Sequence, residues 1–204
     1  ALQARKKLSF VNLATLQESF SRADTKNFRG FILSVFRFTF AIEGLGALLL
    51  AFYFVPQFGW GKGLFTSAFL AVSAFCNAGF DNMGSTSLVD FVNNPYINLV
   101  IASLIIMGGL GFSVWFDFQG RLDKSQTGHK LSFHTKIVLG LTATILTVGT
   151  LLTLITEYNN PDTIGNFSFG HKVLASFFQT VTMRTAGFAT IDYTQARPVS
   201  LLIY

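Results

Sequence analysis

Few side chains in this sequence are equipped for covalent chemistry, and none of them clusters. There is one cysteine, Cys76, and three histidines, His129, His134 and His171. Their spacing matches no metal-ligand pattern, and a single cysteine cannot build a thiolate metal site. No nucleophile motif, phosphate-binding loop or dinucleotide fingerprint occurs. The chemistry on offer is that of the backbone. Two short segments rich in small residues, CNAGFDN from Cys76 to Asn82 and RTAGFATID from Arg184 to Asp192, are centred on Gly79 and Gly187. Backbone carbonyl oxygens can replace a cation's hydration shell without introducing titratable groups. Glycine permits the dihedrals that such a lining needs.

Such loops must be held by other elements, and the composition says what those are. Of 204 residues only 12% are charged and 50% are apolar, with 18 glycines and 24 phenylalanines. An average soluble domain carries about 25% charged residues. Mean hydropathy is +0.49. The class is a polytopic membrane protein, and disorder, a collagen-like chain and a disulfide scaffold are excluded. A bilayer core takes about 20 apolar helical residues to cross. Tyr96 to Phe116 and Ile137 to Thr156 each supply an uncharged run of that length, and Phe31 to Val55 supplies another that contains Arg37 and Glu43. The run from Val199 to Tyr204 reads as the start of a fourth span. The chain begins at Ala1 without an initiator methionine, and it reads as an internal fragment of something larger.

Two further apolar stretches, Gly63 to Phe75 and His171 to Val181, are too short to cross and precede the two glycine loops. They are expected to be re-entrant or buried helices. Positive charge orients the chain. Ala1 to Arg29 carries six Lys/Arg and Arg121 to Lys136 four, against one in Pro56 to Asn94 and three in Asn159 to Arg197. The first two segments, with the Ala1 end, are therefore expected in the cytoplasm and the glycine loops outside. This accounts for the formal charge of +5. A nucleic-acid partner is not indicated, because no helix concentrates charge on one face.

The order of span, short helix, glycine loop and span occurs once and begins again. Ala78-Gly79-Phe80 recurs as Ala186-Gly187-Phe188, and Phe69 meets Phe177 at the same offset. A repeated tripeptide at one place in a repeated hydropathy pattern indicates an internal repeat. Each short helix runs inward and ends at its loop. Its negative C-terminal end favours a cation there by about 0.3–1 kcal/mol.

On these residues the sequence resembles a known family. SAFCNAGFD and TVTMRTAGF are similar to the second and third filter segments of the Trk/Ktr/HKT potassium transporter superfamily, and IEGLGALLL, from Ile42 to Leu50, resembles the Ktr-type membrane subunit. The sequence departs from commoner family forms at Cys76, where Asn is frequent, and at Met183, where Pro is frequent. The resemblance implies an all-α membrane protein of repeated helix–pore helix–filter loop–helix units around a pseudo-fourfold ion pore. It implies four repeats in the whole protein, of which this chain holds the second and part of the third. Residues 1–29 would be a cytoplasmic basic segment, 30–117 one pore repeat, 118–134 a cytoplasmic linker and 135–204 an incomplete second repeat. The filter carbonyls fall on Asn77, Ala78, Gly79 and Phe80 in one loop, and on Thr185, Ala186, Gly187 and Phe188 in the other. The implied activity is passive potassium uptake across the cell membrane, open to sodium influence, with K+ at the carbonyls and no organic cofactor. A homodimer on a cytoplasmic KtrA-like ring of nucleotide-binding regulatory subunits is also implied. Arg5 to Lys7 and Arg121 to Lys130 are the surface available to that ring, or simple topogenic charge near lipid.

The ionisable residues near the loops fit a supporting role. Glu43 lies mid-span, where a charge facing lipid costs at least about 2.5–3.5 kcal/mol. It is expected to accept hydrogen bonds from pore-loop backbone amides. Arg37, nearer the cytoplasmic end, can snorkel. Arg184 would repel a cation if it faced the pore, so it is expected behind its loop, paired with Asp192 or Asp81. Those two acids, near the outer mouth, either raise the local cation concentration or simply face solvent. Gly108, Gly109 and Gly111 read as packing or bending positions. Two rival classes remain. An unrelated secondary transporter with broken helices also places glycine loops at mid-membrane. A membrane-embedded enzyme would need clustered polar groups on facing helices, and the spans offer only Glu43.

Overall fold

The computed structural model describes residues 28–84, 87–122 and 131–203, and those residues form helices and turns with no strand among them. Arg5 to Lys7, Arg22, Lys26, Lys124 and Lys130, on which the charge reading leans, lie outside the described residues, as does His129. The chain divides into two compact units, residues 1–40 and 41–204. In the first, Ser34 Oγ donates to the Gly30 carbonyl at 2.9 Å and Phe36 stacks on Phe40.

One helical run, α1 (Phe28–Phe75), carries both the first expected span and the first short helix, and it is broken at Gly59. Pro56 lacks the amide that would continue the helix. Gly59 then takes φ 78° and ψ 169°. A side chain resists that backbone shape. The two pieces on either side of the break fold back on each other. A Cβ at Gly63 would stand 2.6 Å from the Val55 Cα and 2.7 Å from the Phe54 carbonyl oxygen. The fold-back is sealed by aromatics: fully buried Phe54 stacks on Phe58 at 5.8 Å and meets Phe91 edge-on at 5.6 Å.

The second expected span, Tyr96 to Phe116, is corrected by the structure. Helix α2 (Pro95–Gly109) starts with Pro95 in its first turn and with the Asn94 side chain accepting from the Tyr96 and Ile97 amides. It stops at Gly109, and α3 (Phe112–Leu122) leaves at 92°. Gly111, at φ +83°, makes the corner. Trp115 Nε1 donates to the Met107 carbonyl at 3.0 Å and so satisfies an acceptor near the bend. Hydropathy counts apolar residues and is blind to such a corner.

Helix α4 (Phe133–Glu157) is capped by Ser132, whose own amide donates to Asp117 of α3 at 2.7 Å. Leu141, Ile145, Val148, Leu152 and Ile155 are exposed, at the three- and four-residue spacing of one helix face suited to lipid. Thr144, Thr147 and Thr150 donate to carbonyls one turn back, which keeps their hydroxyls satisfied in an apolar surround. Helix α5 (Phe169–Thr182), the second short helix, packs against α4 and α2, and Gly149 of α4 lets the Thr180 side chain approach closely. Helix α6 (Pro198–Ile203) packs on α4. Among the described residues, two helices are long and apolar enough to cross a membrane, and the bent α2–α3 pair makes a third candidate.

Glu157, one residue past the uncharged run, fastens this half together. Its side chain is fully buried. One oxygen accepts from Asn160 Nδ2 at 2.6 Å and Thr163 Oγ1 at 2.7 Å, the other from the Arg197 amide at 2.9 Å and from Ser200 Oγ. The last two donors lie at the start of α6. Glu157→Gln turns an amide NH2 towards two of these donors. Charge-assisted hydrogen bonds are worth about 1.5–3 kcal/mol each. We expect a loss of about 3 kcal/mol on that scale, read as a lower thermal midpoint of the full-length protein in detergent. An unchanged midpoint would show that these four bonds do not fasten this half together.

Candidate functional site

Both glycine loops start where a short helix ends. At the end of α1, the amides of Cys76, Asn77 and Ala78 donate to the carbonyls of Val72, Ala74 and Ser73 at 2.9, 3.2 and 2.9 Å. At the end of α5, the Met183 and Arg184 amides donate to Gln179 and Val181, and the Ala186 amide to Thr182 at 2.8 Å. Thr182 Oγ1 also donates to the Phe188 carbonyl at 2.7 Å, which ties the far end of the second loop back to its helix.

The two loops share a backbone pattern. Asn77 and Gly79 have φ of 51° and 71°, and their counterparts in the second loop, Thr185 and Gly187, have 86° and 82°. The residue between each pair, Ala78 or Ala186, is not in this region. A β-branched threonine at positive φ is an outlier, and such strain concentrates at functional sites. The loops lie against each other. A Cβ on Gly79 would strike the Ala186 carbonyl oxygen and stand 2.8 Å from the Gly187 Cα. Just beyond, the Leu88 amide donates to the Ala189 carbonyl at 2.9 Å, and the Ala189 amide to Ser87 Oγ at 3.4 Å. Equivalent side chains differ in their surroundings. Ala186 and Phe188 are fully buried, while Phe80 is 70% exposed and borders an apolar hollow of about 360 Å³ with Phe65, Phe69 and Val72.

Each short helix thus runs into a loop with positive φ at the same two places, and comparison with known proteins identifies the family. The family model for TrkH, a cation transport protein, matches residues 5–204. The chain belongs to the TrkH family. It is 38% identical over 98% of its length to the potassium/sodium uptake protein NtpJ of Enterococcus hirae, covering 43% of that protein. It is 39% identical over 94% of its length to the Ktr system potassium uptake protein B of Bacillus subtilis, covering 42% of it, and 39% identical over 97% to the protein of that name from Vibrio alginolyticus, covering 43%. The chain thus spans less than half the length of the relatives it matches. With its apolar helices, it is a multi-pass protein of the cell membrane in a family of cation transporters.

Within this TrkH-family chain, the supporting residues fall differently from the expectation. Glu43 is buried, 8% exposed, but its partner is a side chain rather than loop amides: Cys76 Sγ donates to Glu43 Oε1 at 3.6 Å. No acid sits beside Cys76 in sequence, and this neighbour arrives from a distant part of α1. Arg184 is not joined to Asp192. The Asp192 carboxylate is fully exposed and accepts from the Thr194 amide and Oγ1 at 2.9 and 2.7 Å, which holds its pKa below the usual range for Asp. Asp81 likewise closes a local turn on the Met83 amide at 3.0 Å. A carboxylate two residues from an amide donor completes such a turn at little entropic cost, and that wins over a distant guanidinium. Arg184 instead stands beside Gly109, where a Cβ would lie 3.7 Å from its Nη2 and 3.8 Å from Asn77 Nδ2. Sequence reasoning missed Glu157 altogether. Its only sequence signal was an acid ending an uncharged span, directly before Tyr158-Asn159-Asn160-Pro161.

Proposed function

We propose that this chain supplies two filter loops of a potassium uptake protein of the cell membrane. In this reading, carbonyls of Asn77, Ala78, Gly79 and Phe80 and of Thr185, Ala186, Gly187 and Phe188 replace the hydration shell of K+. Two further repeats of the whole protein complete a pseudo-fourfold pore. Residues 30–117 are one repeat and 135–204 part of the next, with 1–29 and 118–134 cytoplasmic. Movement is passive, down the electrochemical gradient, and no covalent step is involved. Sodium enters as a competing or accompanying cation, as the name of the Enterococcus relative suggests. The whole protein works as a homodimer on a cytoplasmic nucleotide-binding ring, in keeping with the word "system" in the Ktr relatives' names.

The observation that carries this reading is the shared φ pattern of the loops. Positive φ at alternate residues swings successive peptide planes so that their oxygens can fall on one side of the chain. One-sided oxygens are what a cation needs in place of water. The unrelated-transporter alternative is disfavoured by the family match.

The reading is tested with the full-length protein in a strain lacking its own potassium uptake. It should restore growth at low external potassium, and uptake should collapse when the membrane potential is dissipated. Cysteines at positions 82 and 166 should react with an impermeant thiol reagent from outside, and one at 124 should not. Uptake that persists without the potential would overturn the passive mechanism, and labelling at 124 from outside would reverse the orientation.

A further inference from the structure

We infer that Arg184 is a positioning residue that fastens the second filter loop to the scaffold of the first, through the carbonyl end of α2 and the side chain of Asn77. This rests on the filter reading above. Gly109 is the last residue of α2, and the chain turns through 92° just beyond it. The Ile106 carbonyl still receives the Leu110 amide, and Met107 receives Trp115. The carbonyls that follow lie at the helix end, where the peptide dipoles leave partial negative charge. The Arg184 guanidinium stands there, with Nη2 3.7 Å from the position a Gly109 Cβ would take. The Asn77 amide reaches the same point to within 3.8 Å, and its side-chain oxygen is buried without a hydrogen-bond partner. Half a turn of that amide puts this oxygen on the Gly109 side, where the guanidinium also stands.

The repeat strengthens the assignment. Arg184 occupies in the second loop the place that Cys76 holds in the first, at the offset that also relates the two Ala-Gly-Phe tripeptides. Cys76 is itself fastened, to Glu43. The residue just before the first positive-φ position thus anchors each loop, once by thiol to carboxylate and once by guanidinium to helix end. Asp81 and Asp192, the acids that follow the two loops, are engaged in their own turns. In this assignment the arginine's charge is answered by the dipoles at the end of α2 and not by either of these carboxylates.

The test uses the full-length protein in the uptake-deficient strain, with membrane abundance measured beside uptake. Arg184→Lys keeps a cation at the helix end and should keep both the KM for potassium and the preference over sodium within about threefold. Arg184→Gln removes it and should raise the KM by about tenfold and lower the preference, at normal abundance. Wild-type behaviour of Arg184→Gln, or equal loss in Arg184→Lys and Arg184→Gln, overturns the proposal. If Arg184→Gln does not reach the membrane, Gly109→Leu decides. It suits a helix, and its Cβ faces the guanidinium and the Asn77 amide, so the larger side chain should displace them and reproduce the KM rise with Arg184 in place. An unchanged KM there overturns the proposal too. Gly79→Ser separates the two levels. If it and Gly187→Ser both leave the ion preference intact, the filter reading fails. If it shifts the preference while Arg184→Gln and Gly109→Leu do not, only the role of Arg184 fails.

Discussion

Serine in place of Gly79 is expected to cut the preference for potassium over sodium by about tenfold or more, with the protein still reaching the membrane. Gly79 has φ +71°. A Cβ in that conformation brings strain of about 1–3 kcal/mol. The added Cβ would also strike the Ala186 carbonyl oxygen and crowd Gly187, at 2.8 Å from its Cα and 3.1 Å from its carbonyl carbon. Both loops would have to shift, and an oxygen cage that shifts discriminates poorly between ions of different radius. Gly187→Ser should act in the same direction but less strongly. Its φ is +82°, yet its nearest neighbour would be the Gly79 Cα at 3.2 Å, with no carbonyl in the way. The measurement is uptake by the full-length protein with sodium as competitor. Wild-type preference in both variants would show that these loops are not the filter, and the transport reading would lose its main support.

The second large effect concerns folding. Gly108→Ala should lower the amount of folded protein in the membrane severely, by a stability loss of about 3 kcal/mol or more. A Cβ at Gly108 would land on the carbonyl of Phe75, the last residue of the first short helix. Neither group can yield as a flexible side chain would, because both are backbone inside helices. Gly109→Ala, one position on, meets only side-chain atoms at ordinary contact distance and should be close to neutral. Abundance and thermal midpoint of the two variants give the comparison. Equal behaviour would show that α2 does not rest on the end of the first short helix through Gly108.

Much of this protein was legible in its sequence because a bilayer asks for simple things. A low share of charge and runs of about 20 apolar residues declare spans. The shorter apolar stretches, Gly63 to Phe75 and His171 to Val181, declare helices that cannot cross, and the recurrence of Ala-Gly-Phe marks where they end. The glycines were readable as special because only they take positive φ without strain. Family membership followed from those same segments.

Only the tertiary structure decided the partners. Glu43 could be seen to need a donor, but not that the donor is Cys76, because their proximity depends on how α1 folds back at Gly59. The sequence led to the expectation that Arg184 points away from a cation and pairs with an acid. Choosing Asp192 for it failed because a carboxylate satisfies itself first on the nearest amide, here that of Thr194. The corner at Gly111 was hidden in an uncharged run, since hydropathy sums residue types and carries no information about dihedrals. The positive φ of Thr185 was hidden for the converse reason. A threonine does not announce such a conformation, and what imposes it is the closing of the loop by Ala186 and Thr182 on the helix end.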